Sequence, residues 1–144
     1  MIKEHSEGVR MNKKYIIFSA EKMNWGEICL SGKEWLDTTW KIYNDGSYTE
    51  VQRFTNSGKF KVVSTEKEYV VQKEGELSDE KFARLLLIIN DKFLQCSAGF
   101  GCDGEEWKMR SYAENGQILH QIEGMIYGDN VLEEIEQILL SPMS

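Results

Sequence analysis

Proline is nearly absent from this chain. One stands among 144 residues, Pro142, close to the carboxyl end. Nothing therefore reads as a proline-rich linker between two domains. Histidine is equally scarce, with His5 and His120 alone, so no histidine-based dyad or triad can be assembled from sequence. Three cysteines, Cys29, Cys96 and Cys102, leave at least one thiol unpaired and argue against a secreted disulfide framework. The longest apolar run, Leu85-Leu86-Leu87-Ile88-Ile89, is far short of the ~20 residues a membrane span needs. The stretch from Met11 to Phe18 begins like an export signal, but Glu21 and Lys22 cut its apolar part short. No Asn-x-Ser/Thr acceptor, internal repeat or low-complexity tract occurs. These absences point to a reduced, cytoplasmic setting.

A chain of this length suits one ordinary domain. Residues 1–12 are polar and aperiodic and read as a flexible N-terminal extension, with one globular domain over 13–144. Lys14 to Ser19 reads as a strand, and Glu27 to Leu30 as a second. Trp35 to Tyr43 and Ser47 to Phe54 flank Asn44-Asp45-Gly46, a favoured hairpin turn. Lys59 to Ser64 alternates apolar with basic residues, and Glu68 to Lys73 reads as its partner strand. Ser78 opens a helix as a cap, and Phe82, Leu85, Leu86, Ile89 and Phe93 supply its stripe, widened by Leu87 and Ile88. Glu106 to Ala113 and Gln117 to Glu123 form a hairpin around Asn115-Gly116. A last helix spans Val131 to Leu140, capped by Asn130 with Glu133 and stopped at Ser141-Pro142. The predicted fold is α+β: an antiparallel meander, a helix, a β-hairpin and a C-terminal helix, with both helices on one sheet face.

Motifs that could carry chemistry fail on context. Gly99-Phe100-Gly101-Cys102-Asp103-Gly104 matches G-x-G-x-x-G, but a helix precedes it and a strand follows, the inverse of dinucleotide sites. Ser78 to Lys81 fits S-x-x-K without the companion elements of the serine enzymes that use it. Cys96, Cys102 and His120 lack the spacing and the fourth ligand of structural zinc. Catalytic residues, a metal site and a cofactor are therefore not expected. Most tryptophans and tyrosines are assigned to packing and cross-strand pairing.

Charge is the uneven feature. Residues 1–75 carry 12 basic and 11 acidic side chains, whereas residues 76–144 carry 5 and 13. Arg110 is the last basic residue. A net charge of −7 leaves no basic stripe for nucleic acid or for an anionic membrane surface. It predicts instead a basic protein partner, drawn by complementary potential. The predicted contact residues are Phe100 and Asp103 in the glycine-rich loop, then Glu105, Glu106, Glu114, Asp129, Glu133, Glu134 and Glu136.

In size, acidity and order of elements the chain resembles the small acidic immunity proteins of bacterial toxin systems. That resemblance implies a monomer or weak dimer that neutralises a basic toxin. Two alternatives share its bulk properties. One is an acidic secretion or assembly chaperone, although such proteins usually open with a helix and this chain opens with strands. The other is a small-ligand or enzymatic module with a pocket near the 97–104 loop.

Overall fold

Glycine closes the two hairpin turns among the described residues. At the first, Gly46 takes φ +89° and its N–H donates to the Tyr43 carbonyl at 3.0 Å. At the second, Gly116 takes φ +91° and donates to the Ala113 carbonyl at 2.9 Å. Asp45 and Asn115 do not share the positive φ that a two-residue turn would demand. Their side chains instead accept from the backbone N–H two residues on, at Ser47 and Gln117, both at 2.9 Å. Both connections are thus three-residue turns with glycine in the left-handed region.

The structure, a computed structural model, describes residues 13–24, 34–55, 68–96, 105–126 and 129–140. Six strands form one antiparallel sheet: β1 (Ile16–Asn24), β2 (Glu34–Tyr43), β3 (Ser47–Thr55), β4 (Glu68–Glu76), β5 (Glu105–Tyr112) and β6 (Ile118–Gly124). The described residues also form two helices, α1 (Asp79–Asp91) and α2 (Asn130–Leu140), which make the fold α+β, with a 3-10 turn at Phe93–Gln95. The strand order is β4-β3-β2-β1-β5-β6. The first four strands are the expected meander, and the second hairpin docks on the free side of β1. β4 pairs with β3, from Ser47↔Glu76 to Thr55↔Glu68, and the partner expected for it at 59–64 falls in a stretch that is not described. The extension at 1–12, the strands expected at 27–30 and 59–64, the 97–104 loop and the Ser141-Pro142 stop lie outside the described residues.

Alternation along the strands divides the sheet into two faces. Phe18 and Ala20 of β1, Trp40 and Ile42 of β2, Tyr48 of β3 and Trp107 and Met109 of β5 share one face and are buried. Leu85, Ile88 and Ile89 of α1 and Leu132, Ile135, Ile138 and Leu139 of α2 join them in one core. Ala20 allows a contact across three strands. It pairs with Trp40 on one side and Met109 on the other, and its small side chain leaves room above β1. Trp40 and Trp107 meet there, stacked 9° from parallel with centroids 5.6 Å apart. Phe93 anchors the end of α1, edge-on to Phe18 and to His120 of β6.

The caps show one expected result and one correction. Ser78 Oγ accepts from the Lys81 N–H at 3.1 Å, as its position predicts. At α2 the capping side chain is Asp129 rather than Asn130. Its carboxylate accepts from the N–H groups of Val131 and Leu132 at 2.9 and 3.0 Å. A charged acceptor at this end also gains from the helix dipole. Leu87 does not widen the apolar stripe, because at 100° per residue it turns away from Leu85, Ile88 and Ile89 and is exposed.

Candidate protein-binding edge

The acids expected to form one contact surface take separate places. Glu106 sits on β5, on the face opposite the helices, next to Met23 of β1. Glu105 starts the same strand. Glu114 lies exposed in the β5–β6 turn. Asp129 caps α2. On that helix, Glu134 is ion-paired with Arg84 of α1, and Glu136 lies 3.8 Å from Lys22 of β1. The Lys22 ammonium also lies 5.4 and 5.8 Å from the Trp107 and Trp35 ring centroids. Glu133 stands in the first turn of α2, where its N–H donates to the Asp129 carbonyl at 3.0 Å. Phe100 and Asp103 lie outside the described residues. The α2 carboxylates therefore serve in part to fasten that helix to α1 and β1.

The thiol and imidazole weighed as metal ligands have other contacts. Cys96 Sγ donates to the Lys92 carbonyl at 3.4 Å, and His120 Nε2 donates to the Cys96 carbonyl at 3.1 Å. Burial, helped by Asp129, raises the Cys96 pKa and keeps the thiol protonated. Cys102 is outside the described residues. Among the described residues no three potential ligand groups converge on a metal position. No helix among them is long and apolar enough to cross a membrane.

Polar groups on the face away from the helices compensate one another. Arg53 donates in bidentate fashion to Asp37, with Nε 3.0 and 3.1 Å from the two carboxylate oxygens. Lys108 and Glu123 approach to 3.9 Å across β5 and β6. Arg110 Nε donates to Gln121 at 2.8 Å, and Ser19 and Tyr112 share a hydroxyl hydrogen bond of 2.9 Å. Opposite charges thus meet across neighbouring strands on this face.

Both sheet edges are open among the described residues, and they differ in regularity. The β5–β6 pairing shifts register between Ser111 and Tyr112, and bulges of this kind twist an edge away from further pairing. The β3–β4 pairing runs through nine consecutive partners with no shift. Val70 is 55% exposed on the open face and Val71 38% exposed on the helix face, so the helices do not extend over β4. Gln72, Lys73, Glu74 and Glu76 are exposed as well. The acids continue into the exposed Asp79 and Glu80, where α1 begins. A regular strand edge with two bare valines and four flanking carboxylates is a template for an incoming strand. Sequence reasoning missed this surface. The signal was present in the Val70-Val71 pair between acids, but only the strand order shows that β4 is the last of the described strands.

At the lower end of β3 and β4 the sheet carries an open cleft of about 620 Å³. Lys14, Tyr43, Ser47, Thr49, Glu74 and Glu76 line it, with Tyr48 and Gly75 between them. The Lys14 ammonium lies 4.6 Å from the Tyr43 ring centroid. Beneath, burial and the neighbouring Glu50 raise the Tyr48 pKa. Glu50 itself is buried and accepts from Trp40 Nε1 at 3.2 Å and from Gln52 Nε2 at 3.1 Å. Comparison of the chain with models of protein families, with curated proteins and with solved structures returns no match in any of the three.

Proposed function

We propose that this chain is an acidic cytoplasmic binding protein that neutralises a basic protein partner, in the manner of an immunity-type inhibitor of a toxin. The observation that carries this reading is the outer edge of β4. Among the described residues its outward backbone donors and acceptors have no strand partner, with exposed Val70 and Val71 beside Glu74, Glu76, Asp79 and Glu80. Strand addition supplies affinity through main-chain hydrogen bonds, while side-chain pockets and charge supply specificity. The net charge of −7 steers a cationic partner toward the molecule and sets a salt-dependent encounter rate. Compared with the carboxylates of α2, those along β4 suit the role better, because no ion pair among the described residues holds Glu74 or Glu76.

The test uses the full chain and the basic protein it captures from its native cell. Binding should slow hydrogen exchange at the outward amides of residues 68–76. Val70→Lys with Val71→Lys should weaken capture at least roughly tenfold, since each lysine blocks the edge and repels a basic strand. Protection confined to α1, α2 or β6, with unchanged capture by the lysine variant, would remove the proposal. Self-association of the free chain with the same amides protected would assign the edge to a second copy instead.

A further inference from the structure

The cleft beside β4 narrows the chemistry of that partner. By alternation, Tyr43, Ser47, Thr49, Glu74 and Glu76 all belong to the face away from the helices. Glu74 stands opposite Thr49, and Glu76 opposite Ser47. Two carboxylates two residues apart on one strand face lie roughly 7 Å from each other. Their cross-strand partners are hydroxyls rather than bases, and β4 has no outer strand among the described residues to provide one. Tyr43 also lines the cleft, and the π-face of its ring already attracts a cation, the chain's own Lys14 ammonium. With Lys14 counted, the lining carries one basic and two acidic groups, so a negative charge remains unanswered.

We infer that this cleft receives an arginine side chain of the partner, resting on the proposal that a basic strand adds to β4. A guanidinium is planar and matches the site in two ways. Its edge can meet carboxylates on either side, and its face can stack on tyrosine. An ammonium satisfies only one of these at a time. Lys14 then acts as an internal competitor, occupying the aromatic wall until the arginine arrives. Ser47 and Thr49 offer hydroxyl acceptors for the remaining N–H groups. An arginine on the added strand would point into the cleft at alternate positions only, which fixes register as well as affinity.

The test needs no partner. ¹⁵N-labelled chain is titrated with Nα-acetyl-arginine amide, with the lysine equivalent, and with the neutral citrulline equivalent, while backbone amide shifts are followed. The arginine probe should move the amides of residues 47–49 and 74–76 with saturation in the millimolar range. The lysine probe should bind more weakly and citrulline should not saturate. Glu74→Gln with Glu76→Gln should weaken arginine binding by roughly two- to thirtyfold, the range expected for loss of two exposed ion pairs. Lys14→Ala should strengthen it, and the amide spectrum of each variant reports its fold directly. Equal shifts with citrulline, indifference to the double glutamine variant, or weaker binding in Lys14→Ala would overturn the inference. These outcomes are separate from the exchange protection along β4, so the cleft and the strand-addition reading fail independently.

Discussion

Replacing Gly75 with alanine tests the pairing of β3 with β4, on which the exposed edge depends. A Cβ at this position would lie 2.7 Å from the Tyr48 hydroxyl oxygen, 2.9 Å from Cζ and 3.0 Å from Cε2. Ordinary contacts at such atoms fall at about 3.5–4.0 Å, so one partner has to move by roughly 0.5–1 Å. Tyr48 is 4% exposed and packed in the core, which leaves its ring little freedom to yield. Overpacking of this kind costs about 1–3 kcal/mol. Alanine regains about 0.4–1 kcal/mol by restricting the unfolded chain. The net expectation is a loss of roughly 1–2 kcal/mol, or a fall of about 0.5–1 M in the urea midpoint. Tryptophan emission is a suitable probe, because Trp40 and Trp107 stack in the core. A second background isolates the cause. Tyr48→Leu removes the ring, so Gly75→Ala should become neutral or slightly stabilising there. An equal cost in both backgrounds, or no cost in the parent chain, would refute the steric reasoning.

Other expectations follow from single contacts. Asp45 accepts from the Ser47 side chain and backbone, which lowers its pKa below the ordinary 3.8. A depressed carboxylate pKa adds stability above its unfolded value, and that stability is lost as pH falls through the folded value. The stability gap between the parent chain and Asp45→Asn should therefore be constant above about pH 5 and close in stronger acid, as read by denaturation at each pH. Cys96 is buried with a raised pKa, so iodoacetamide at pH 8 should modify it far more slowly in the folded chain than in urea, by peptide mass spectrometry. Asp129→Ala removes the acceptor for two N–H groups of α2 and should lower stability by about 1 kcal/mol in urea denaturation. Glu134→Gln should change stability by less than about 1 kcal/mol, since its pair with Arg84 is half in solvent; a larger loss would mean that the pair organises the helix contact.

Local features of this fold were legible because their causes are local. Asn44-Asp45-Gly46 and Asn115-Gly116 marked the two described hairpin turns, since glycine alone adopts the left-handed turn position at no steric cost. Ser78 marked the start of α1, because a hydroxyl there meets a backbone donor three residues on. The net negative charge and its drift toward the carboxyl end are likewise properties of the chain itself. The capping of α2 by Asp129 was harder to read, since Asn130 beside it has an equally suitable side chain.

What required the tertiary structure is everything that joins distant segments. Antiparallel strands pair through backbone groups that every residue carries, so sequence did not say that β5 would dock on β1 and leave β4 last among the described strands. Only that order brings Trp40 and Trp107 together over Ala20, and only the helix placement gives Glu134 to Arg84 and Glu136 to Lys22. Charge is carried by the residues, but the field is set by which charges meet in space. Folding therefore answered carboxylates on α2 with bases from other elements, while along β4 Glu74 and Glu76 face only the hydroxyls of Ser47 and Thr49 across the strand pair.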